Sequence, residues 1–224
     1  MKKKLLIWDF DGVIADTEKL WLKNRQKLLK DYMNIDWDFE TVEKHLKGMS
    51  DITKREVLDS LGIITDDYFW EKSIQMDLES MYTIGFELTK DIEEIFKLNI
   101  KQCIATGGMS DKTAKKIDVV KIRNYFPNET VFTADMVKRG KPEPDLFLLA
   151  AKIFNCKPEE CVIVEDSVAG IKAAIKANMT PILYFDGVID ENLQTIKEMR
   201  NLGVKYIYNN MKDIKKLIIE LFQP

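Results

Sequence analysis

Two carboxylates stand two residues apart, at Asp9 and Asp11, directly after the apolar run Leu5–Trp8 and directly before Gly12. An unbroken apolar run of that length reads as a strand buried on both faces. Strand geometry sends residues i and i+2 to the same side, so both carboxylates can reach one point, and Gly12 lets the backbone turn sharply after them. In open α/β sheets chemistry collects at the carboxyl ends of strands. A carboxylate pair there attracts a hard cation such as Mg²⁺ and leaves one oxygen free as a nucleophile. Asp-x-Asp-Gly by itself is equally compatible with a solvated acidic turn.

Other polar groups follow apolar runs in the same way. Thr106-Gly107-Gly108 closes the run 100–105, Glu165-Asp166-Ser167 closes 161–164, and Lys141 lies in a loop held stiff by Pro142 and Pro144. If the runs are parallel strands, all four clusters converge on one sheet edge. Their chemistry is that of phosphoryl transfer, which needs the phosphate oxygens neutralised and held in line with an attacking group. Thr106 offers a hydroxyl, the Gly107 and Gly108 amides are unhindered near a helix start, and Lys141 supplies a point charge. Asp166 adds a carboxylate for Mg²⁺, which would also reduce repulsion between Asp9 and an anionic substrate. Taken singly, each cluster also reads as a turn, a surface charge or a helix cap.

The elements that must position these groups alternate strand and helix. After the first strand, residues 16–85 read as all-helical, with Leu20, Trp21, Leu28 and Leu29, then Val57, Leu58 and Leu61, at helical spacing. Gly62 is expected to end one of these helices and Asp66 to cap another. From Leu88 onward the alternation is regular. Strands are expected at 100–105, 130–133, 161–164, 181–185 and 205–208, and helices through Ile92 and Phe96, from about Ser110, and at 146–154, 168–177 and 211–222. This pattern predicts an α/β fold with a doubly wound parallel sheet, its core in residues 1–15 and 86–224, and a helical subdomain inserted at 16–85.

Composition narrows the function. The 224 residues are 46% hydrophobic and 32% charged with a net charge of −3, an ordinary globular balance with no basic concentration suited to nucleic acid. Lys2, Lys3 and Lys4 are followed by too short an apolar run for a signal peptide, and no run reaches membrane-spanning length, so a cytoplasmic protein is expected. Cys103, Cys156 and Cys161 are odd in number with no C-x-x-C pair, which argues against a disulfide framework. His45 is the single histidine, which argues against a catalytic triad and a multi-histidine zinc site. Any enzyme here runs on carboxylates, hydroxyls and lysines.

Jointly the motifs resemble those of haloacid-dehalogenase-superfamily phosphatases over essentially the whole chain. Asp9-Phe10-Asp11-Gly12-Val13, Thr106, Gly140-Lys141-Pro142-Glu143-Pro144-Asp145 and Glu165-Asp166-Ser167-x-x-Gly170 match the family's four motifs in order. The helical insert is similar to the small cap of the β-phosphoglucomutase and phosphoglycolate phosphatase branch. The resemblance implies a Rossmann-like core and Mg²⁺ held by the Asp9 side chain, the Asp11 backbone carbonyl and Asp166, with Glu165 in support. It implies Asp9 as nucleophile, forming an aspartyl-phosphate, and Asp11 as the acid for the leaving group and then the base for water.

Within the family, Asp11 favours phosphate esters over carbon–halogen bonds. Lys19-Leu20-Trp21 stands where β-phosphoglucomutase carries a histidine that enforces mutase behaviour, so a phosphatase is expected ahead of a phosphomutase. Asn124-Tyr125-Phe126-Pro127 and 161–170 most resemble bacterial sugar-phosphate phosphatases of the 6-phosphogluconate type. Lys47-Gly48-Met49-Ser50 resembles the cap loop that faces the substrate in relatives, making Lys47, Gly48 and Ser50 substrate-binding candidates beside Thr106, Gly107 and Lys141; a helix end followed by an N-cap serine fits that segment equally. Lys54 and Arg55 are expected on a solvated helix face, and Trp21, Trp37 and Trp70 in packing. The expected partner is a small phosphorylated metabolite, with no nucleic acid or membrane, and the expected assembly a monomer or weak homodimer. A phospho-acceptor signalling module also gathers acids, a threonine and a lysine at strand ends, but Asp11 and the helical insert argue against it.

Overall fold

The computed structural model describes residues 2–47, 49, 51–186 and 193–223. They form two compact units, one made of residues 1–15 with 87–224 and the other of 16–86.

The first unit is built on six strands: β1 (Leu5–Trp8), β2 (Lys101–Thr106), β3 (Val131–Thr133), β4 (Cys161–Glu165), β5 (Thr180–Tyr184) and β6 (Tyr206–Tyr208). They pair in the order β3-β2-β1-β4-β5-β6, every pair parallel. β1 is therefore central, with Trp8 in register with Ile104 on one side and Val164 on the other. A central parallel strand is covered on both faces, which is why Leu5, Leu6, Ile7 and Trp8 are all apolar and fully buried.

The faces of the sheet pack differently. On one face Leu5, Ile7, Cys103 and Ile163 meet Leu146, Phe147 and Ala150 of α7 (Asp145–Ile153) and Ala173 and Ala174 of α8 (Val168–Lys176). The Trp8 indole stands edge-on to Phe96, 5.6 Å between centroids, and donates Nε1–H to Gln102 Oε1 at 3.0 Å. Phe96 ends the short α5 (Glu93–Phe96). Cys103 and Cys161 are buried; loss of hydration pushes both thiols up, Cys161 to about 12, so neither is a ready nucleophile.

This unit also holds α9 (Leu193–Asn201) and α10 (Met211–Phe222). The sequence pattern had no helix at α9. Only Met199 of its nine residues is buried, so the periodic apolar stripe that announces a helix is nearly absent.

The second unit holds α1 (Glu18–Met33), α2 (Phe39–Leu46), α3 (Asp51–Ser60) and α4 (Asp67–Thr83) around Leu22, Leu29, Val42, Leu46, Leu58 and Phe69. Asp38 and Asp66 cap α2 and α4, each accepting a backbone N–H at 2.8 Å, and Gly62 adopts φ +79° just after α3. The three indoles expected in packing are packed: Trp21 on Phe86, Trp37 on His45 and Trp70 on Phe69.

This helical unit also buries charge. Arg25 forks onto both oxygens of Asp77 at 3.0 Å and reaches Asp51 at 3.1 Å, while Asn24 joins Asp77 to Ser80. Lys54 is buried too, 3.9 Å from Asp51, and burial followed by the Arg25 charge lowers its pKa. The expectation of a solvated face at Lys54 is thus corrected; Arg55, paired with Asp67, does face solvent. Among the described residues no helix is long and apolar enough to cross a membrane.

Candidate active site

The site residues follow the strand ends. Asp9 comes directly after β1 and extends its ladder by one bond, its N–H donating to the Val164 carbonyl at 3.0 Å. β1 itself stops at Trp8, so the sequence argument that one strand carries both carboxylates to one side does not apply. A tight turn places them instead: Phe10 is fully buried, Gly12 adopts φ +77°, and Gly12 N–H and Ile14 N–H close onto Ala15 O and Phe10 O. The insert leaves and returns beside this turn, where Ala15 bridges Leu88 and Thr89 donates to Ile14 O and Val13 O.

The two carboxylates have separate cationic partners. Lys141 Nζ lies 2.5 Å from Asp9 Oδ1 and 2.6 Å from Glu165 Oε1, an ion triad with all three side chains less than a tenth exposed. Asp11 pairs with Lys116 of α6 (Ser110–Val119), 2.5 and 2.7 Å to its two oxygens. Lys116 is 4% exposed, and sequence reasoning missed it: Lys115-Lys116 in an amphipathic helix looks like solvated surface. The signal available was its spacing, since Thr113, Lys116 and Ile117 share the buried stripe of α6.

Glycines make room for the remaining acids. A Cβ at Gly12 would sit 2.7 Å from Asp166 Cγ and closer still to Oδ2; one at Gly170 would sit 2.6 Å from Glu165 Oε2 and closer to Oε1. Both motif glycines are therefore cradles in which a carboxylate rests against bare backbone. Glu165 uses both oxygens on protein donors, Oε1 on Lys141 and Oε2 on the Ser167 N–H and hydroxyl. Ser167 in turn caps α8 by accepting the Gly170 N–H.

Thr106 ends β2, is 1% exposed, and accepts the Gly108 N–H at 3.2 Å, which leaves its O–H proton to serve another acceptor. Gly107 has open space where a Cβ would stand. Lys47 follows α2, exposed and 3.3 Å from Glu43 on its own helix. Gly48 and Ser50 lie outside the described residues. Asp9, Asp11, Thr106, Lys141, Glu165 and Asp166 all belong to the sheet unit, and Lys47 to the helical one.

Electrostatically the sheet-edge cluster carries surplus negative charge. Burial, joined by Glu165 and Asp11 and opposed by Lys141, pushes the Asp9 carboxyl up to about 7. Burial, then Glu165 and Asp9, raises Asp166 well above the usual carboxylate range. Burial alone would lower Lys141, but Asp9 and Glu165 outweigh it and leave its pKa raised. One buried ammonium shared by Asp9 and Glu165, with Asp166 beside them, leaves carboxylate charge that a hard cation would neutralise. Among the described residues no three such side chains stand ready as a complete cage. Mg²⁺ needs none, because it keeps several waters and takes one or two carboxylates. The oxygen donors of Asp9 and Asp166 fit that ion in kind.

With this geometry in view, the chain compares with known proteins as follows. It is 26% identical over 188 residues to a phosphorylated carbohydrates phosphatase of Thermotoga maritima, covering 79% of this chain and 82% of that protein. It is 26% identical over 189 residues to 6-phosphogluconate phosphatase of Escherichia coli, covering 80% and 81%. A HAD family hydrolase of Deinococcus radiodurans, solved with bound phosphate and sodium, superposes with a TM-score of 0.83 at 19% identity, covering 98% and 96%; at that identity the likeness shows the fold. The model of the family described as haloacid dehalogenase-like hydrolase matches residues 6–184, a span running from β1 through β5 and including every motif residue above. The chain belongs to the haloacid dehalogenase-like hydrolases.

Proposed function

We propose that this protein is a Mg²⁺-dependent phosphatase of small phosphorylated metabolites, sugar phosphates foremost, working through an aspartyl-phosphate on Asp9. The observation that carries this reading is the buried triad in which Lys141 bridges Asp9 and Glu165 at the end of the central strand. An aspartate so placed has one oxygen tied down and the other available, and the lysine charge stands where phosphate oxygens arrive. The named phosphatases aligned over four-fifths of the chain support the substrate class.

Asp9 attacks phosphorus while the ester P–O bond breaks, and Asp11 gives its proton to the leaving alkoxide. Thr106 O–H and the Gly107 and Gly108 amides bind the equatorial oxygens together with Lys141, holding the group in line. Water then attacks the acyl phosphate, Asp11 takes its proton, and phosphate departs with Asp9 regenerated. Glu165, held by Ser167, fixes Lys141 against Asp9. The Asp9 side chain, the Asp11 backbone carbonyl and Asp166 would hold Mg²⁺, which would supply positive charge to offset the repulsion between acids and phosphate. The choice among metabolites is assigned to the loop of Lys47, Gly48 and Ser50. With dissolved metabolites as substrates, the cytoplasm is the assigned compartment.

The test is phosphate release, with Mg²⁺, from a panel of sugar phosphates, phosphogluconate, phosphoglycolate and nucleotides, beside Asp9→Asn. Release by the wild type and none by the variant, with unchanged circular dichroism, is expected. Full activity in Asp9→Asn overturns the mechanism. Conversion of a sugar phosphate into its isomer without release would make this a mutase, and stable phosphorylation without turnover a phospho-acceptor.

A further inference from the structure

We propose that the Thr113 hydroxyl is a further ligand of the phosphoryl group, a second hydroxyl beside Thr106, a role that rests on the phosphatase reading above. Thr113 lies in the first turn of α6 and is 1% exposed, and its buried Oγ1 has no hydrogen-bond partner among the described residues. A helical threonine ordinarily settles its hydroxyl on the carbonyl four residues back. Here the Met109 carbonyl accepts the Thr113 N–H at 2.9 Å and the hydroxyl stands apart. A valine would fill the same space without the cost of an unpaired buried hydroxyl. What the hydroxyl adds is a bond to something a ligand brings.

Its direction is fixed from two sides. Thr113 shares the buried stripe of α6 with Lys116, one turn further on, and Lys116 meets Asp11, so this face of the helix is turned to the motif aspartates. Toward the helix start, Thr113 Oγ1 stands 2.8 Å from the point where Gly108 would carry a Cβ, and Thr106 Oγ1 stands 3.6 Å from the same point. The two hydroxyls therefore border the bare side of one glycine. Its backbone is held in place, with Gly108 N–H on Thr106 Oγ1 at 3.2 Å and Ala134 N–H on Gly108 O at 3.1 Å.

This glycine lies in the turn from β2 into α6, where a helix start favours an anion, and Met109 at the N-cap adds no side-chain bond of its own. A phosphoryl oxygen bound by Thr106 is the acceptor closest to hand for Thr113. Its negative charge makes that bond stronger than one between neutral groups. Burial is no bar, because Thr106 is equally 1% exposed and carries the same role.

The experiment compares Thr113→Val and Thr113→Ser with wild type and Asp9→Asn, on a sugar phosphate and on 4-nitrophenyl phosphate. Inorganic phosphate serves as competitive inhibitor, and Tm is recorded without substrate. Thr113→Val is expected to lose about 20-fold in kcat/KM, equally on both esters, the order of one hydrogen bond to a charged group. The Ki of phosphate should rise with it. The substrate-free Tm should hold or rise, because an unpaired hydroxyl has left the interior. Thr113→Ser should keep most of the activity.

Activity of Thr113→Val within threefold of wild type overturns the proposal. A lower Tm, or failure of that variant to fold, overturns it as well, since the hydroxyl would then be serving the substrate-free protein. Thr113→Ser no more active than Thr113→Val would leave only packing, and a loss confined to the sugar phosphate would move the hydroxyl to the leaving group. The underlying phosphatase reading fails separately, if Asp9→Asn stays active or the wild type releases no phosphate.

Discussion

Replacing Gly12 by alanine tests the cradle around Asp166 with a single methyl group. The backbone there is at φ +77°, where an L side chain costs about 1–2 kcal/mol. The new Cβ would lie 2.7 Å from Asp166 Cγ and nearer to Oδ2, so the carboxylate must retreat by about 1 Å or more, a misplacement that costs catalysis about 10²-fold. For a chain of this size the backbone penalty corresponds to a Tm loss of roughly 2–8 °C. The assay is kcat/KM on the best panel substrate at saturating Mg²⁺, with Tm recorded alongside. Gly203→Ala is the control, since its backbone is also at positive φ, +85°, while nothing lies within 4 Å of its Cβ. A large activity loss confined to Gly12→Ala is expected. Gly12→Ala within threefold of wild type would refute the claim that Asp166 needs bare backbone beside it.

The raised acids make metal binding pH-dependent. Asp9 moves from 3.8 to about 7 on folding, so between those values the metal-free folded state holds a proton that the unfolded state has lost. Stability from this group is present at low pH and is lost as pH rises through about 7. Mg²⁺ must displace that proton, so its thermal stabilisation should grow from pH 6 to pH 8; an equal shift at both would contradict the assignment. In the helical unit, Asp77→Ala removes the fork from a buried Arg25 and should cost about 3 kcal/mol in urea unfolding, because an unpaired buried charge remains. Arg25→Met with Asp77→Leu should recover most of it, and a single-mutant loss below about 1 kcal/mol would show the pair to be well solvated.

Much of this molecule was written in runs of apolar residues ending in polar ones. β1 reads directly from Leu5–Trp8 because a central strand is apolar on both faces, and the motif acids read from their position at run ends. What was illegible depends on distance or on an absent stripe. Lys116 meets Asp11 across 105 residues and Arg25 meets Asp77 across 52, and although each lies on the buried stripe of its helix, no local pattern names the distant partner. The helix α9 hid because it buries one residue. The seat of Asp11 was misread for a subtler reason: period-two reasoning holds only while the strand lasts, and the strand ends one residue before the first aspartate.

The central place of β1 has a consequence for how the chain is made. Its two neighbours, β2 and β4, begin at residues 101 and 161, so the strand that seeds the site is translated long before either partner exists. At about 5–20 residues per second, Leu5–Trp8 waits on the order of 10 s for β4 to emerge. Residues 16–86, a contiguous unit with its own core, leave the ribosome within that interval and have every partner they need. Birth order therefore runs opposite to chemical importance: the helical insert matures first, while the nucleophile reaches its final setting only when the last acidic motif has been synthesised.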